Sequence, residues 1–542
     1  MKLNRIFYFY LLLITFWSCA IQVPPSGGVQ DLEPPKLISS EPANFSILFS
    51  SHDIQLNFNE FISLNDFGSQ LIVSPLLKYS PEVKIRNKSL LIHILDTLLE
   101  NTTYTMNFGQ GITDNNEGNK LENFQFVFST GAIIDSLDIQ GLIETAFDKK
   151  TEKGVLALAY RENIDSLPYL ERPLYFSRTN DSGQFRINNI APGSYKLIGL
   201  KEKDGNYLYL QGEELIGFPD SLIEAKSENV NLKIFKEASS LRFLRAYSEF
   251  PGKAVIVFNA ASDTIKWTWI SDTTKLNIHS INYSSGKDTV YIWYKNISAD
   301  SLSLRFDHIS LNDSVILRLF KKTEETKEKN KAGLSIFSES SETTLQHLYL
   351  PYKLQSNHPI ALAELDKIVV LEDSLIVKPK IEFTDSLRMR FKVEFKWKSK
   401  SQYSLFIPPE TFTDIFGMTN DTIRLFFAAH GEADYGSIKI IFKKTDIVPY
   451  VFQLIDDAGS FIYREVTCNQ DTIFELSFLD PRLYRIKLIS DKNGNGKWDT
   501  GNYLNHIQPE DVEYYPEGIT VRANWDVDFN INAPFWKGNK KN

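Results

Sequence analysis

The residues best spaced for chemistry lie toward the C-terminal end, in Asp491-Lys-Asn-Gly-Asn-Gly-Lys-Trp-Asp-Thr-Gly-Asn502. Side-chain oxygens of Asp491, Asn493, Asn495, Asp499 and Asn502 fall at positions 1, 3, 5, 9 and 12 of that stretch, with Gly496 at position 6. A Ca2+ loop places its oxygens and its sharp turn in this way, because the hard cation takes about six to eight oxygens. Position 12 is Asn502 rather than a bidentate Glu, and only Asp491 and Asp499 carry charge. The other reading is a Gly/Asn-rich turn whose Asp and Asn side chains bond their own backbone. The spacing leaves both open.

A second residue defined by its setting is Cys19. Lys2 and Arg5 supply a positive start, Ile6 to Trp17 an apolar run, and Ser18-Cys19-Ala20 follows. This is the layout of an export signal, and the run is shorter than the roughly 20 residues that cross a bilayer. The expectation is a lipoprotein: a signal peptide over 1–18, acylation of Cys19, and attachment to a lipid bilayer. Residues 19–35 include Pro24-Pro25, Gly27-Gly28 and Pro34-Pro35, which suits an extended or flexible tether. With Cys19 acylated, Cys468 has no intrachain partner and is expected to be an inert buried thiol.

Other chemical signatures are missing. The chain has no Gly-x-Ser-x-Gly elbow, phosphate loop, dinucleotide glycine pattern or His-Glu-x-x-His. The 8 histidines are scattered singly, which suggests no metal cluster. The formal net charge is −9 and no basic block stands out, so no nucleic-acid partner is expected. The run Lys321 to Lys331 is charged throughout, with no apolar face, and reads as a solvated linker.

The elements that would position these residues are strands. Alternating or short apolar runs such as Ile54-Gln-Leu-Asn-Phe58, Leu90 to Ile94, Phe124 to Phe128 and Val255 to Phe258 recur between Gly, Asn, Asp and Pro. Aromatic residues make up 13% of the 542-residue chain, which leans the same way. Phe185 to Ile198 aligns without a gap on Phe474 to Lys487, at an offset of 289. Each half reads as strand, Pro turn, strand, with Tyr195 and Tyr484 in register. The same offset carries the candidate loop onto Glu202, Asp204, Asn206, Leu210 and Glu213, with Tyr207 in place of the turn Gly. A second repeat pairs Tyr104 to Asn119 with Tyr403 to Asn420, each holding Thr-Asp, Gly and Asn in order. Asp114, Asn115, Asn116, Glu117 and Asn119 form an acidic turn that reads as a solvated hairpin loop.

Pro34-Pro35, Ser40-Glu-Pro42, Leu56 to Glu60, Asn101 to Tyr104, Asp114 to Asn119 and Phe128 to Gly131 resemble the bacterial Ig-like domain of the S-layer type. Gly183 to Phe185, Ile190, Pro192 to Tyr195 and their copy at 474–484 resemble transthyretin-like, carboxypeptidase-regulatory-like modules. The arrangement is similar to the Ig-like-domain lipoproteins of Bacteroidota, in which a Pro-Ser/Thr-Gly-Gly tether follows the cysteine. The fold expected is all-β, about five tandem β-sandwiches in a rod: Ig-like over 36–131, transthyretin-like over 138–236, an undefined sandwich over 237–335, a second Ig-like over 343–432, and a second transthyretin-like over 435–533. The resemblance implies a non-enzymatic outer-membrane lipoprotein, structural or protein-binding, as an accessory of an envelope-assembly or export complex. Its partner would be an outer-membrane or periplasmic protein, met through end loops such as 109–123 and 201–218. Surface glycan binding in nutrient uptake is the alternative. No acidic run follows Cys19, which in such lipoproteins points to the periplasmic face. Cys19→Ala is expected to move the protein to the soluble fraction and to abolish labelling by a fatty-acid probe; continued labelling would refute acylation there.

Overall fold

The computed structural model describes residues 31–535 except 123, 240, 262–264, 271–277, 285, 296–300, 309–310, 320–332 and 340–344. Cys19, the signal segment and the charged run Lys321 to Lys331 lie outside the described residues. The regular structure is nearly all strand, in a succession of β-sandwiches.

Domain I sets the four-stranded sheet Leu37–Glu41, Asp53–Phe58, Ser89–His93, Glu82–Arg86 against Ile72–Ser74, Thr103–Asn107, Gln125–Ser129. Along Asp53–Phe58 the alternation turns Ile54, Leu56 and Phe58 inward and leaves Asp53 and Gln55 in water, as the strand period of two requires. Domain II runs from Leu137–Thr145 to Val230–Lys236, and these two strands pair in parallel. Domain III faces Phe243–Phe250, Lys253–Phe258, Thr289–Tyr294, Ile278–Tyr283 with Lys266–Trp269, Ser301–His308, Leu311–Arg318. Domain IV runs from Ile336–Ser338 to Ile423–Ala429. Domain V runs from Gly436–Lys444 to Asp526–Ala533, again a parallel pair.

Both sequence repeats are structural repeats. In domains II and V the first strand pairs in parallel with the last and antiparallel with the strand that enters the Pro turn. The Tyr195 hydroxyl donates to Ala191 O at 2.7 Å and the Tyr484 hydroxyl to Asp480 O at 2.9 Å, each four residues upstream. In domains I and IV the Tyr104 and Tyr403 hydroxyls accept the N–H of Leu99 and Lys398, both at 2.8 Å.

The domains do not form a rod in series; domain V folds back onto domain II. The cause is a short insertion. The domain V loop follows its domain II counterpart as far as Gly501, which matches Gly212, then runs through Asn502-Tyr-Leu-Asn-His-Ile-Gln508 before rejoining. That insertion plugs into domain II. Tyr503 is 1% exposed, packed with Tyr160, Phe176, Phe218 and Phe235. Its N–H donates to Glu237 Oε1 at 2.7 Å, and Gln508 Nε2 donates to Phe218 O at 2.8 Å. His506 Nε2 lies 3.0 Å from Asp165 Oδ2. Beside the insertion, Thr500 Oγ1 donates to Lys236 O at 2.6 Å, and Lys233 pairs with Asp511 at 2.6 Å.

Contacts between the other domains complete a circuit. Arg242, at the start of domain III, pairs with Glu213 of domain II at 2.6 Å. Trp293 and Phe250 of domain III pack on Leu387, Ile415 and Phe416 of domain IV. His347 Nε2 of domain IV lies 3.0 Å from Phe478 O of domain V. Domain I joins from the side, with Ile72 and Leu76 in the same cluster that buries Tyr503. The 201–218 segment, expected to be a free contact loop, is therefore partly engaged within the chain.

A variant lacking residues 502–508 is expected to keep its strand content by circular dichroism and to show a larger radius of gyration by X-ray scattering. Tyr503→Ala should weaken the seam by about 3 kcal/mol, the order of cost for truncating a buried aromatic. Scattering indistinguishable from that of the parent chain would refute the fold-back.

Candidate functional site

The loop 491–502 sits where the strand Leu483–Ser490 leaves the domain V core and heads for the seam. Gly494 and Gly496 take left-handed φ values of 73° and 75°, a conformation that glycine adopts without a Cβ clash. The matching residues of domain II are Gly205 at φ 74° and Tyr207 at φ 65°. The turn geometry is kept there although its glycine is lost, and the Tyr207 ring packs edge-on against Phe176.

Within this turn Asp491 is fully buried. Its Oδ1 accepts Asn495 N–H at 3.0 Å and its Oδ2 accepts Gly496 N–H at 2.8 Å. Asn493 Oδ1 accepts Asn495 N–H at 3.0 Å, and Asn495 Oδ1 accepts Lys497 N–H at 2.8 Å. Both side-chain amides donate to Asp499 Oδ2. The fold thus gathers Asp491, Asn493, Asn495 and Asp499. Asn502 is not with them: its Oδ1 accepts Asn505 N–H at 2.9 Å inside the insertion.

Glu510 takes the place that Asn502 was expected to fill. It is 6% exposed and clamps both ends of the loop, accepting Lys492 N–H at 2.7 Å and Asp499 N–H at 3.0 Å. Burial raises its pKa, and the charges of Asp499 and Asp491 add to that. In domain II Glu214 does the same job, accepting the N–H of Lys203 at 2.8 Å and of Leu210 at 2.9 Å. Sequence reasoning missed Glu510 because the insertion breaks the ungapped repeat just before it. The signal was present in the Glu-containing segment that resumes after Pro509.

Among the described residues no three His, Cys, Asp or Glu side chains converge closely enough to hold a metal ion. A cation here would draw on the Asn493 and Asn495 amide oxygens beside Asp491 and Asp499, with Glu510 holding the backbone of the loop. That donor set, all oxygen, fits Ca2+ if the two amides turn their oxygens inward.

The other acidic turn is solvated at Asn115, Asn116, Glu117 and Gly118, as expected, but not at Asp114. Asp114 is 2% exposed, and its carboxylate accepts the N–H groups of Asn116, Glu117, Gly118 and Asn119. Asp414 repeats this in domain IV, holding the N–H groups of Phe416 and Met418 and pairing with His358 Nδ1 at 2.8 Å. A buried carboxylate needs such donors. Here the acidic residue organises a turn.

Two further groups lie near the seam. The Lys487 ammonium sits 3.1 Å above the Phe147 ring centre, and burial pulls its pKa down to about 8 against the opposing fields of Asp148 and Glu465. A cleft of about 820 Å3 separates domains II and V. Its charged walls are ion-paired, Glu144 with Lys149 at 3.0 Å and Lys233 with Asp511. Cys468 is 1% exposed, and burial pushes its thiol pKa up to about 11, which suppresses thiolate chemistry.

Residues 31–130 match a family model described as a bacterial Ig-like domain, in agreement with the Ig-like resemblance of the first sandwich. No curated protein matches the chain. Similar solved structures include a three-domain segment of titin, at 10% identity and a TM-score of 0.15, covering 53% of this chain and 97% of that one. The S-layer protein SbsC gives 10% and 0.14, covering 84% and 65%. The major pilin subunit of Bacillus cereus gives 11% and 0.14, covering 73% and 99%. At such scores the likeness carries no argument about domain arrangement or activity. The chain is thus a set of tandem β-sandwiches whose first matches the model of a bacterial Ig-like domain.

Proposed function

We propose that this chain is a non-enzymatic lipoprotein of the outer membrane, anchored through acylated Cys19 on the periplasmic face and akin to those of Bacteroidota. In this reading it holds a protein partner as a structural or interaction module of an envelope-assembly or export complex. The observation that carries the proposal is the use made of buried ionisable groups. Asp114, Asp414, Glu214 and Glu510 organise turns, and Glu237 and His358 lie in the contacts between domains. Side chains so engaged favour a rigid presenting scaffold over turnover of a substrate.

Glycan binding is the alternative, and the outer face of domain III is its best support. There Tyr247, Val255 and Tyr291 lie in one cross-strand row. The next ring along, Trp293, is sealed at 1% exposure against Phe416 and Leu387, so the row is too short for a sugar platform.

We further propose that the loop 491–502 binds Ca2+ through Asp491, Asn493, Asn495 and Asp499. A dication there would stiffen the segment that carries the insertion. Affinity near that of extracellular modules, about 10⁻⁴–10⁻³ M, gives about 1 kcal/mol of stabilisation at millimolar Ca2+. Melting should therefore rise by a few degrees between EDTA and millimolar Ca2+ in the parent chain and stay flat in Asp491→Ala; equal melting in both conditions would sink the site. For the main reading, native purification through a C-terminal tag should recover a stoichiometric envelope protein, with glycan arrays and hydrolase screens blank. A lone monomer that binds or cleaves a polysaccharide would replace this reading with the alternative.

A further inference from the structure

Domain IV has two outer sheet faces of opposite character. On the face formed by Ile336–Ser338, Tyr352–Ser356, Arg390–Glu394 and Lys380–Phe383, cross-strand neighbours are charged: Lys353 beside Lys392, Lys392 beside Glu382, Lys380 beside Glu394. Lys392 pairs with Glu394 at 2.5 Å and with Glu382 at 3.6 Å. That is the ordinary solvated side of a sandwich.

The opposite face, formed by Ile423–Ala429, Gln402–Ile407, Val369–Glu372 and Leu375–Val377 with the short strand Leu345–Gln346 at its edge, is apolar. One row across it reads Phe426, Ser404, Leu371, Ile376. Phe426 is 70% exposed and Ile376 72%. The next row runs Arg424, Phe406, Val369, with Lys378 one residue past the last strand. At about 4.8 Å per strand the four strands span roughly 15 Å, enough to seat one element of another protein.

Domain I indicates what such a face is for. Its strand Thr103–Asn107 corresponds to Gln402–Ile407, through Tyr104 and Tyr403. There the outward side is covered by domain II: Asn189 Nδ2 donates to Thr105 Oγ1 at 2.8 Å, and Phe176 N–H donates to Ser74 Oγ at 3.3 Å. In domain IV no described residue of this chain takes that place.

The rim fixes the chemistry of the occupant. Neither Arg424 nor Lys378 has a carboxylate partner among the described residues; Arg424 lies over the Phe406 ring at 5.1 Å. At the margin Asp373 accepts Gln402 N–H at 2.9 Å. A second copy would bring the same two cations to the interface, which opposes self-pairing. Two cations supply only about 2 kcal/mol toward an anionic bilayer, too little to hold a flat sheet face there.

We propose that this face of domain IV docks a protein partner whose contact surface is apolar and bordered by carboxylates that meet Arg424 and Lys378. The assignment rests on the interaction reading above and names the surface through which it acts.

A photo-crosslinking phenylalanine analogue at Phe426 or Ile376 of the full chain, in cells that make it, should give one discrete protein adduct. The same analogue at Lys353, on the charged face, should give none. The adducted protein, once purified, should bind the parent chain at least tenfold more tightly than it binds Phe426→Asp or Arg424→Glu. Binding should also weaken as salt rises to about 0.5 M. Both variants should melt with the parent, because the altered side chains stand in water. An adduct that is a second copy of this chain, binding to phosphatidylglycerol vesicles lost in Phe426→Asp, or adducts equal at Lys353 would overturn the assignment. A tagged chain that recovers a partner which never crosslinks from Phe426 or Ile376 also overturns it, while leaving the interaction reading in place.

Discussion

Glu237 stands just past the strand Val230–Lys236, 2% exposed, with one donor from each of two domains. Oε2 accepts the Tyr209 hydroxyl of domain II at 2.7 Å, and Oε1 accepts the Tyr503 N–H of domain V at 2.7 Å. A carboxylate this buried is costly unless its oxygens are satisfied. Docking of domain V supplies the second donor and covers the site with the Tyr503 ring. The position of domain V, and through it the path of domains III and IV, therefore depends on this joint.

One contact would not hold it. Glu237 and Tyr503 are 266 residues apart, and closing a loop of that length costs roughly 5 kcal/mol. Full burial of one aromatic contributes about 3 kcal/mol, and a charge-assisted hydrogen bond about 2 kcal/mol. These roughly cancel the closure cost. The surplus must come from Lys233 with Asp511, Gln508 on Phe218 O, and Phe147 stacked on Trp498 at 4.9 Å. Lys487 works against the sum, since burial disfavours its charge below about pH 8. The intervening contacts at Phe416 and Phe478 shorten the effective loop, so the circuit closes in cooperative steps.

Much of the fold was legible because β-sandwiches write their faces into a two-residue period. Ile54, Leu56 and Phe58 point inward as the alternation requires, and the paired tyrosines mark both repeats. Of the candidate loop, the turn was readable, since Gly494 and Gly496 leave a local signature, and Asp491, Asn493, Asn495 and Asp499 come together while Asn502 does not. What was missed rests on hydrogen bonds to the backbone. Glu510 and Glu214 act through N–H groups, and the insertion 502–508 hides the match between them from an ungapped comparison. Asp114 looked like a solvated acid because the four N–H groups that bury it belong to its own turn. The expected rod failed for a similar reason: periodicity tells which face of a strand is covered, never which domain covers an end loop.

The two repeats together make a duplicated pair, a Tyr104-type sandwich followed by a Tyr195-type sandwich, with domain III inserted between the copies. The second copy differs from the first in its core, where Tyr450, Phe452 and Leu454 stand in place of Val155, Ala157 and Ala159, and also where it touches its neighbours. Asn189 and Phe478 hold the same position, and both are left-handed, at φ 55° and 60°. Asn tolerates that conformation and uses its amide to reach domain I. Phe does not, at a cost of about 1–3 kcal/mol. Its ring stacks on Tyr349 of domain IV at 3.7 Å, and its carbonyl lies within hydrogen-bond reach of His347. The strain persists because the contact between domains over-determines it. One position thus became two different joints, and the seven residues after Gly501 became the seam. Contacts built on equivalent positions of the two copies are what turn a tandem repeat into a closed assembly.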